Sequence, residues 1–260
     1  MIGKKIIEFA SIDSTNAYAS NIFTVSAFEE GAVIWALEQH AGRGQHDHIW
    51  VSEPGKNLTV TVCLKPRFLE PEMQFLLNKA VSLGVLDSVR SMLQQYVPDK
   101  EFLCHIKWPN DIYVGEKKIG GILIENKIMG SCISTAIIGI GLNINQNVFP
   151  VNIPNPVSLV HLRGQETVLA EALDSLCKFL DQRYLALKQN FAAELDHAYN
   201  ENLMGFNQWR SFISSDVEWK GKIKGVDLSG KLIVENCAGE ILSFMHGEII
   251  YVPEAENGIH

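Results

Sequence analysis

The rhythm of hydrophobic and polar positions changes several times along this chain, and each change marks an element. Residues 4–10 read as a short strand, and Asp13-Ser14-Thr15-Asn16 supplies N-cap candidates for a helix running to about Phe23. An apolar strand is predicted over residues 33–38. Residues 58–64 alternate strictly, with Leu58, Val60, Val62 and Leu64 on one side and Thr59, Thr61 and Cys63 on the other, which predicts a half-buried strand. Pro71 suits a first helical turn, and residues 73–93 carry apolar side chains over the broad face of a long, largely buried helix. Strands follow at 102–106, 121–126 and 132–142, the last two joined through Met129-Gly130-Ser131. Residues 146–156, rich in Asn and Pro, predict a meandering loop. Leu169, Leu173, Leu176, Leu180 and Leu187 repeat at helical spacing, and a second helix continues over 191–203. Beyond Gly205, short strand-like runs are separated by Asp227-Leu228-Ser229-Gly230, Asn236-Cys237-Ala238-Gly239 and His246-Gly247, the spacing of a small β-barrel or meander. The pattern predicts a large domain over 1–212 and a small one over 213–260.

Composition narrows the picture. A chain of 260 residues can bury a sizeable core, and 47% hydrophobic with 20% charged residues is ordinary for a globular protein. No apolar run reaches the ~20 residues of a membrane span, and the N-terminus lacks the apolar core of a signal peptide, so a cytoplasmic location is expected. A net charge of -8 argues against broad nucleic-acid binding while allowing a local basic pocket. The five cysteines are scattered without a C-x-x-C pair and are read as small buried hydrophobes. His40, His46, Asp47 and His48 match no metal-ligand spacing, and no protein metal site is expected from them.

Two stretches carry the chemistry. Residues 107–125 place Lys107, Asn110-Asp111, Lys117, Lys118 and Gly120-Gly121 around two short apolar runs, a poor core and a plausible anion site. Pro109 biases Trp108 towards extended backbone and Asn110-Asp111 favours a turn, so the segment is expected to bend between two strands. The earlier stretch reads Gln39-His40-Ala41-Gly42-Arg43-Gly44-Gln45 and leads to Trp50 and Asn57. Glycines beside Arg43 let backbone N–H groups turn towards an anion that the guanidinium also reaches. Gly139 and Gly141 within a strand have two readings, a bulge or the close approach of another group, with Asn143 a candidate hydrogen-bonding reader.

Taken together, Gly-Arg-Gly before Trp50 with Pro54-Gly55-x-Asn57-Leu58, then Lys107-Trp108-Pro109-Asn110-Asp111 with Lys118-x-x-Gly121-Ile122-Leu123-x-Glu125, then Gly139-x-Gly141-x-Asn143, resemble the biotin protein ligases, that is, the biotin–[acetyl-CoA-carboxylase] ligases. The resemblance runs from about Lys4 to Val252. It implies an α+β fold, with a catalytic domain of mixed sheet and helices like the class II aminoacyl-tRNA synthetases and a C-terminal SH3-like barrel. It also implies activation of biotin by ATP and Mg²⁺ as biotinyl-5′-AMP, and transfer to a lysine of a biotin carboxyl carrier domain. By the same resemblance Ser14, Thr15 and Gln39 contact the biotin ring, with Gly42, Gly121 and Gly139 contributing around it. Arg43, Lys107 and Lys118 hold carboxylate and phosphate, Trp50, Asn57 and Asn143 serve the nucleotide, and Asp111 is the candidate base, or else orients the amine or makes the turn.

The chain departs from the family pattern in three places. The motifs begin by Asp13, with no DNA-binding winged helix before them, so a repressor role and a DNA partner are not expected. Gln45 stands where many members have a second arginine, followed by His-Asp-His. The C-terminal barrel reads short at its first strands. Members often dimerise through a sheet edge, so a homodimer is an expectation of the resemblance alone. The rival readings are a lipoate ligase of the same fold and a non-catalytic biotin-binding regulator.

Overall fold

The computed structural model describes residues 1–25, 28–45, 49–98 and 100–252; His46, Asp47 and His48 lie outside them. The larger unit is a seven-stranded mixed sheet. Its strands in chain order are β1 (Ile6–Phe9), β2 (Ala32–Ala36), β3 (Leu58–Leu64), β4 (Cys104–Lys107), β5 (Asp111–Val114), β6 (Lys117–Met129) and β7 (Cys132–Leu142), and their spatial order is β1-β2-β3-β7-β6-β5-β4. Only the β1–β2 pair is parallel; the others run antiparallel.

One face of this sheet carries Val33, Trp35, Val60, Val62, Ile138, Ile140, Ile122 and Ile112, all buried in the main core. Against that face pack α2 (Gln74–Tyr96), entered through a 3₁₀ turn at Pro71–Met73, and α4 (Leu169–Lys188). A fully buried Leu or Ile is worth about 1.5–3 kcal/mol, so this layer is the main source of stability. The opposite face is covered by α1 (Thr15–Val25) over β2, β3 and β7, where Ala19, Ala32, Ile34, Cys63 and Ile137 form a second, smaller core. That cover is why β3 is buried at every residue instead of half-buried as its alternation suggested. Thr61 sits beneath the start of α1 and donates or accepts with Thr15 and Asn16, so its hydroxyl is satisfied without water.

Two shorter helices complete the unit. The sequence reading did not anticipate α3 (Leu159–Arg163), a single turn closed by the left-handed Gly164, and α5 (Ala192–Glu201) follows α4. Of the cysteines, Cys63, Cys104 and Cys177 are buried as expected, whereas Cys132 is partly exposed and Cys237 lies exposed in a turn. No helix among the described residues is long and apolar enough to cross a membrane.

The C-terminal strands β8 (Trp209–Ser214), β9 (Val217–Val226), β10 (Leu232–Asn236), β11 (Ile241–Phe244) and β12 (Ile250–Tyr251) form an antiparallel sheet in the order β11-β10-β9-β8-β12. Position 212, where the boundary between the two domains was expected, falls inside its first strand. Phe212, Ile223, Leu232 and Val234 fill its interior. The two units are joined by Lys79 of α2, whose side chain is fully buried: its ammonium donates to the Asp196 carboxylate and to the Val226 carbonyl at 2.7 Å, between the rings of Phe75 and Tyr199.

A buried ammonium whose carboxylate is removed is left uncompensated, whereas removing both charge and partner is far milder. Asp196 is 38% exposed, which tempers the effect. Asp196→Ala should therefore lower the stability to chemical unfolding by about 2–3 kcal/mol, and adding Lys79→Met should recover most of it. An Asp196→Ala protein unfolding at the wild-type denaturant midpoint would exclude this account of the junction.

Candidate active site

Directly paired residues of antiparallel strands send their side chains to the same face. The pairings Lys107↔Asp111, Asp111↔Gly121, Gly121↔Gly141 and Gly141↔Thr59 form one row across β4, β5, β6, β7 and β3. The adjoining row is Leu123, Gly139 and Thr61. Both rows lie on the α1 side of the sheet, and four strand spacings make the first about 19 Å long. Its middle is a floor of glycines. No register shift interrupts the ladders at Gly139 or Gly141, so the bulge reading is excluded and close approach remains. A Cβ on Gly139 would stand 2.6 Å from Asn16 Oδ1, and one on Gly141 would overlap the Trp50 indole.

At the α1 end, Ser14 caps the helix through Ala17 N–H, 3.3 Å from its Oγ. The Thr15 N–H donates to Gln39 Oε1 at 2.8 Å, with Thr15 Oγ1 3.1 Å from the same oxygen. Gln39 is thereby oriented with its carbonyl turned to the helix and its amide NH₂ left for another partner. Thr61 Oγ1 lies 2.8 Å from Thr15 Oγ1 and 2.6 Å from Asn16 Oδ1, Asn16 Nδ2 donates to Glu125 Oε2 at 2.8 Å, and Glu125 Oε1 faces Arg43 Nη2 at 3.7 Å. A continuous polar chain thus runs from Gln39 to Arg43.

At the other end, the cis-linked Trp108-Pro109 step and Asn110 form the turn between β4 and β5, and three elements hold it. Asn110 Nδ2 donates to the Ile122 carbonyl, whose own N–H donates back to the Asn110 carbonyl at 3.0 Å. Tyr199 Oη of α5 donates to the Pro109 carbonyl at 3.2 Å, and Trp108 Nε1 donates to the Gly230 carbonyl of the C-terminal sheet at 2.9 Å. Lys107 and Asp111 flank this clamped turn. A register shift between β5 and β6 beside Tyr113 re-aims Lys118, whose ammonium pairs with Asp111 Oδ1 at 2.7 Å and lies 5.9 Å from the Trp50 ring. The Lys107 ammonium sits 5.0 Å from the Tyr113 ring centre and 3.5 Å from its hydroxyl. Burial pulls the Lys107 pKa below the ordinary lysine value, Asp111 and Glu116 act to raise it, and Lys118 and Arg210 act to lower it.

The remaining predicted residues fall around this floor in different ways. Trp50 lies on Gly121 and Gly141 with a buried indole N–H that has no partner among the described residues, and the Gly42 carbonyl accepts the Trp50 backbone N–H at 3.0 Å while Gly42 leaves no room for a Cβ against the Trp50 carbonyl. Asn57 is buried and engaged by the protein itself: its Nδ2 donates to Gln146 and Ser52, and its Oδ1 accepts the Ile144 N–H at 2.9 Å. Asn143 Nδ2 likewise donates to the Val157 carbonyl at 3.1 Å. These two asparagines anchor the loop after β7, which in turn holds Lys118, its N–H bonded to Asn155 and its carbonyl accepting from Val157.

Residues 8–143 match the biotin/lipoate A/B protein ligase family. The chain belongs to that family. The bifunctional ligase/repressor BirA of Bacillus subtilis is 26% identical over 92% of this chain and 72% of its own length. The biotin–[acetyl-CoA-carboxylase] ligase of Paracoccus denitrificans is 27% identical over 88% of this chain and 94% of its own. Among solved structures, the biotin protein ligase of Aquifex aeolicus in complex with biotin and ATP superposes with a TM-score of 0.74 at 24% identity, over 96% of this chain and 100% of that one; the fold is shared.

In this biotin/lipoate ligase, sequence reasoning took Asn16 only as a cap and quoted Glu125 without giving it a role. Glu125 could have been found: it is in phase with Gly121 and Leu123 on one strand and ends an apolar run, a charge where only a polar face tolerates one. Thr61, Tyr113 and Tyr251 carried no such signal.

Reductive ¹³C-methylation of the lysines, read by NMR, tests the electrostatics. The Lys107 resonance, assigned by its loss in Lys107→Arg, should titrate below those of the surface lysines. Asp111→Asn removes a charge that raises its pKa and should move it lower still; a Lys107 signal titrating among the surface lysines in both proteins would contradict the described burial.

Proposed function

We infer that this chain is an ATP-dependent biotin protein ligase, which converts biotin to biotinyl-5′-AMP and passes the biotinyl group to a lysine of a biotin carboxyl carrier domain. The observation that carries this reading is the long glycine-floored row with polar ring contacts and Arg43 at one end and two lysines, Lys107 and Lys118, at the other. A ligand built from a small bicycle, an acyl chain and a nucleotide needs such a length, and few other ligands do. The biotin–[acetyl-CoA-carboxylase] ligase of Paracoccus denitrificans aligns with 88% of this chain, which favours biotin over lipoate.

In the first step a biotin carboxylate oxygen attacks the α-phosphorus, and the bond to the β-phosphate oxygen breaks with pyrophosphate leaving. Negative charge accumulates on the transferring group, and Arg43, Lys107 and Lys118 stabilise it more than they stabilise the separate substrates. Gln39 and Thr15 hold the ring, with Ser14 shaping the helix start beside it and Gly121 and Gly139 giving the flat floor. Trp50 offers its exposed ring face to the adenine, and its unpartnered N–H offers a donor. Asn57 and Asn143 serve the nucleotide end by fixing the loop that holds Lys118.

Mg²⁺ fits as an ion arriving on the ATP phosphates, from which it draws negative charge. Among the described residues no group of three or more His, Cys, Asp or Glu is placed to hold a metal, and the carboxylates on this face, Asp111 and Glu125, are already turned to cations.

In the second step the acceptor amine attacks the biotinyl carbonyl carbon and AMP leaves. A lysine amine with a pKa of about 10.4 must first lose a proton. Asp111 is the carboxylate at hand, freed for this once Lys118 turns to the phosphate.

Incubating the protein with biotin, ATP, Mg²⁺ and a carrier domain should add one biotinyl group to the carrier by mass, and pyrophosphate should exchange into ATP with biotin but not with lipoate. Lys118→Met should lower that exchange by about 10²-fold. Asp111→Ala supplied with preformed biotinyl-AMP should transfer slowly; an unchanged rate removes Asp111 from the second step.

A further inference from the structure

The cation cluster has a wall contributed by the C-terminal sheet. Tyr251, on the two-residue strand β12, pairs with Phe212 of β8, and the two rings pack edge to face with centres 5.3 Å apart. The Tyr251 ring also meets the Lys107 ammonium, 5.4 Å from the ring centre. Lys107 thus has a phenol from each sheet beside it, the hydroxyl end of Tyr113 from its own sheet and the ring of Tyr251 from the other. The Tyr251 hydroxyl is buried without a hydrogen-bond partner among the described residues, so the contribution argued for this residue lies in its ring. The Trp108 indole, next to Lys107, also bonds the Gly230 carbonyl in the turn between β9 and β10, so the C-terminal unit is tied to the end of β4.

We propose that Tyr251 is a positioning residue for adenylation: its ring, with the Tyr113 phenol, forms an aromatic slot that aims the Lys107 ammonium at the nucleotide phosphates, making the C-terminal sheet a working part of the active site. An ammonium beside the Tyr251 ring and the Tyr113 hydroxyl is held by a ring quadrupole and a neutral dipole without being neutralised, which a carboxylate partner would do. It is also shielded from water, so less solvent must be removed when phosphate arrives. The other charged groups acting on Lys107 are Asp111, Glu116, Lys118 and Arg210, and none of them changes in the test below.

The inference rests on the ligase reading for its catalytic part, and its structural part is measured without ligand. Tyr251→Met keeps bulk and apolarity but removes the ring; Tyr251→Phe keeps the ring and removes only the unpartnered hydroxyl. Tyr251→Met should lower biotin-dependent pyrophosphate exchange about tenfold, leave biotin affinity without ATP unchanged, and raise the titration midpoint of the Lys107 NMR signal as water reaches the ammonium. Tyr251→Phe should restore all three to wild-type values. Wild-type exchange and an unmoved Lys107 signal in Tyr251→Met would overturn the proposal, as would equal impairment of Tyr251→Phe or a loss of biotin affinity that follows a lowered Tm. If the wild-type protein gives no biotin-dependent exchange, the ligase reading fails instead, and the Lys107 titration still decides whether the slot exists.

Discussion

A seven-stranded sheet with apolar residues on both faces must be covered on both, and in this protein the cover of one face stops short. Helices α2 and α4 close the face behind, and α1 closes the other only over β2, β3 and part of β7. Beyond α1 the face over β7, β6 and β5 is left to Trp50 and polar side chains, and it must be flat enough for the indole to lie on it. Glycines at 121, 139 and 141, with charged and hydroxyl side chains at the ends of their rows, meet this requirement. The floor is therefore a consequence of where one helix ends, and the elements around it are arranged to serve it.

Positioning then comes from places remote in sequence. The turn at residues 108–110 is held by β6, by α5 and by the C-terminal sheet, using the Ile122 and Pro109 backbone, the Tyr199 hydroxyl and the Gly230 carbonyl. Three independent anchors leave Lys107 and Asp111 little freedom relative to the floor. The buried Lys79 contact ties the same units from the other side. A site assembled from several rigid elements keeps its geometry when no ligand is present, which is what a reaction dependent on aligned charges requires.

Much of this was legible in the residues because it is local. Strand alternation, helical spacing, the turn at Asn110-Asp111 and the glycine steps are properties of a few neighbouring positions, and they placed the strands and most helices. What escaped was whatever depends on the other side of a contact. The second face of β3 looked polar because Thr59 and Thr61 are polar, yet α1 lies over it and its own polar groups satisfy Thr61. Asn57 and Asn143 looked like ligand readers, and their amides prove to be bonded to Gln146, Ile144 and Val157. No local pattern distinguishes an amide that faces a ligand from one that ties a loop. Tyr251 lies 144 positions after Lys107 by their numbers, and only the docking of the two sheets brings them together.

Three cations gathered on one face repel one another, and the way each is balanced bears on function. Lys118 is paired with Asp111 and Arg43 turned to Glu125, both partly exposed contacts in which water screens the attraction, so each costs little to exchange for a phosphate or carboxylate of the ligand. Exchange also releases the two carboxylates, Asp111 and Glu125, from their cations. Lys107 is balanced differently, by phenols that stay in place when an anion approaches. The cluster thus holds two charges on exchangeable carboxylates and one beside neutral phenols that need not be displaced.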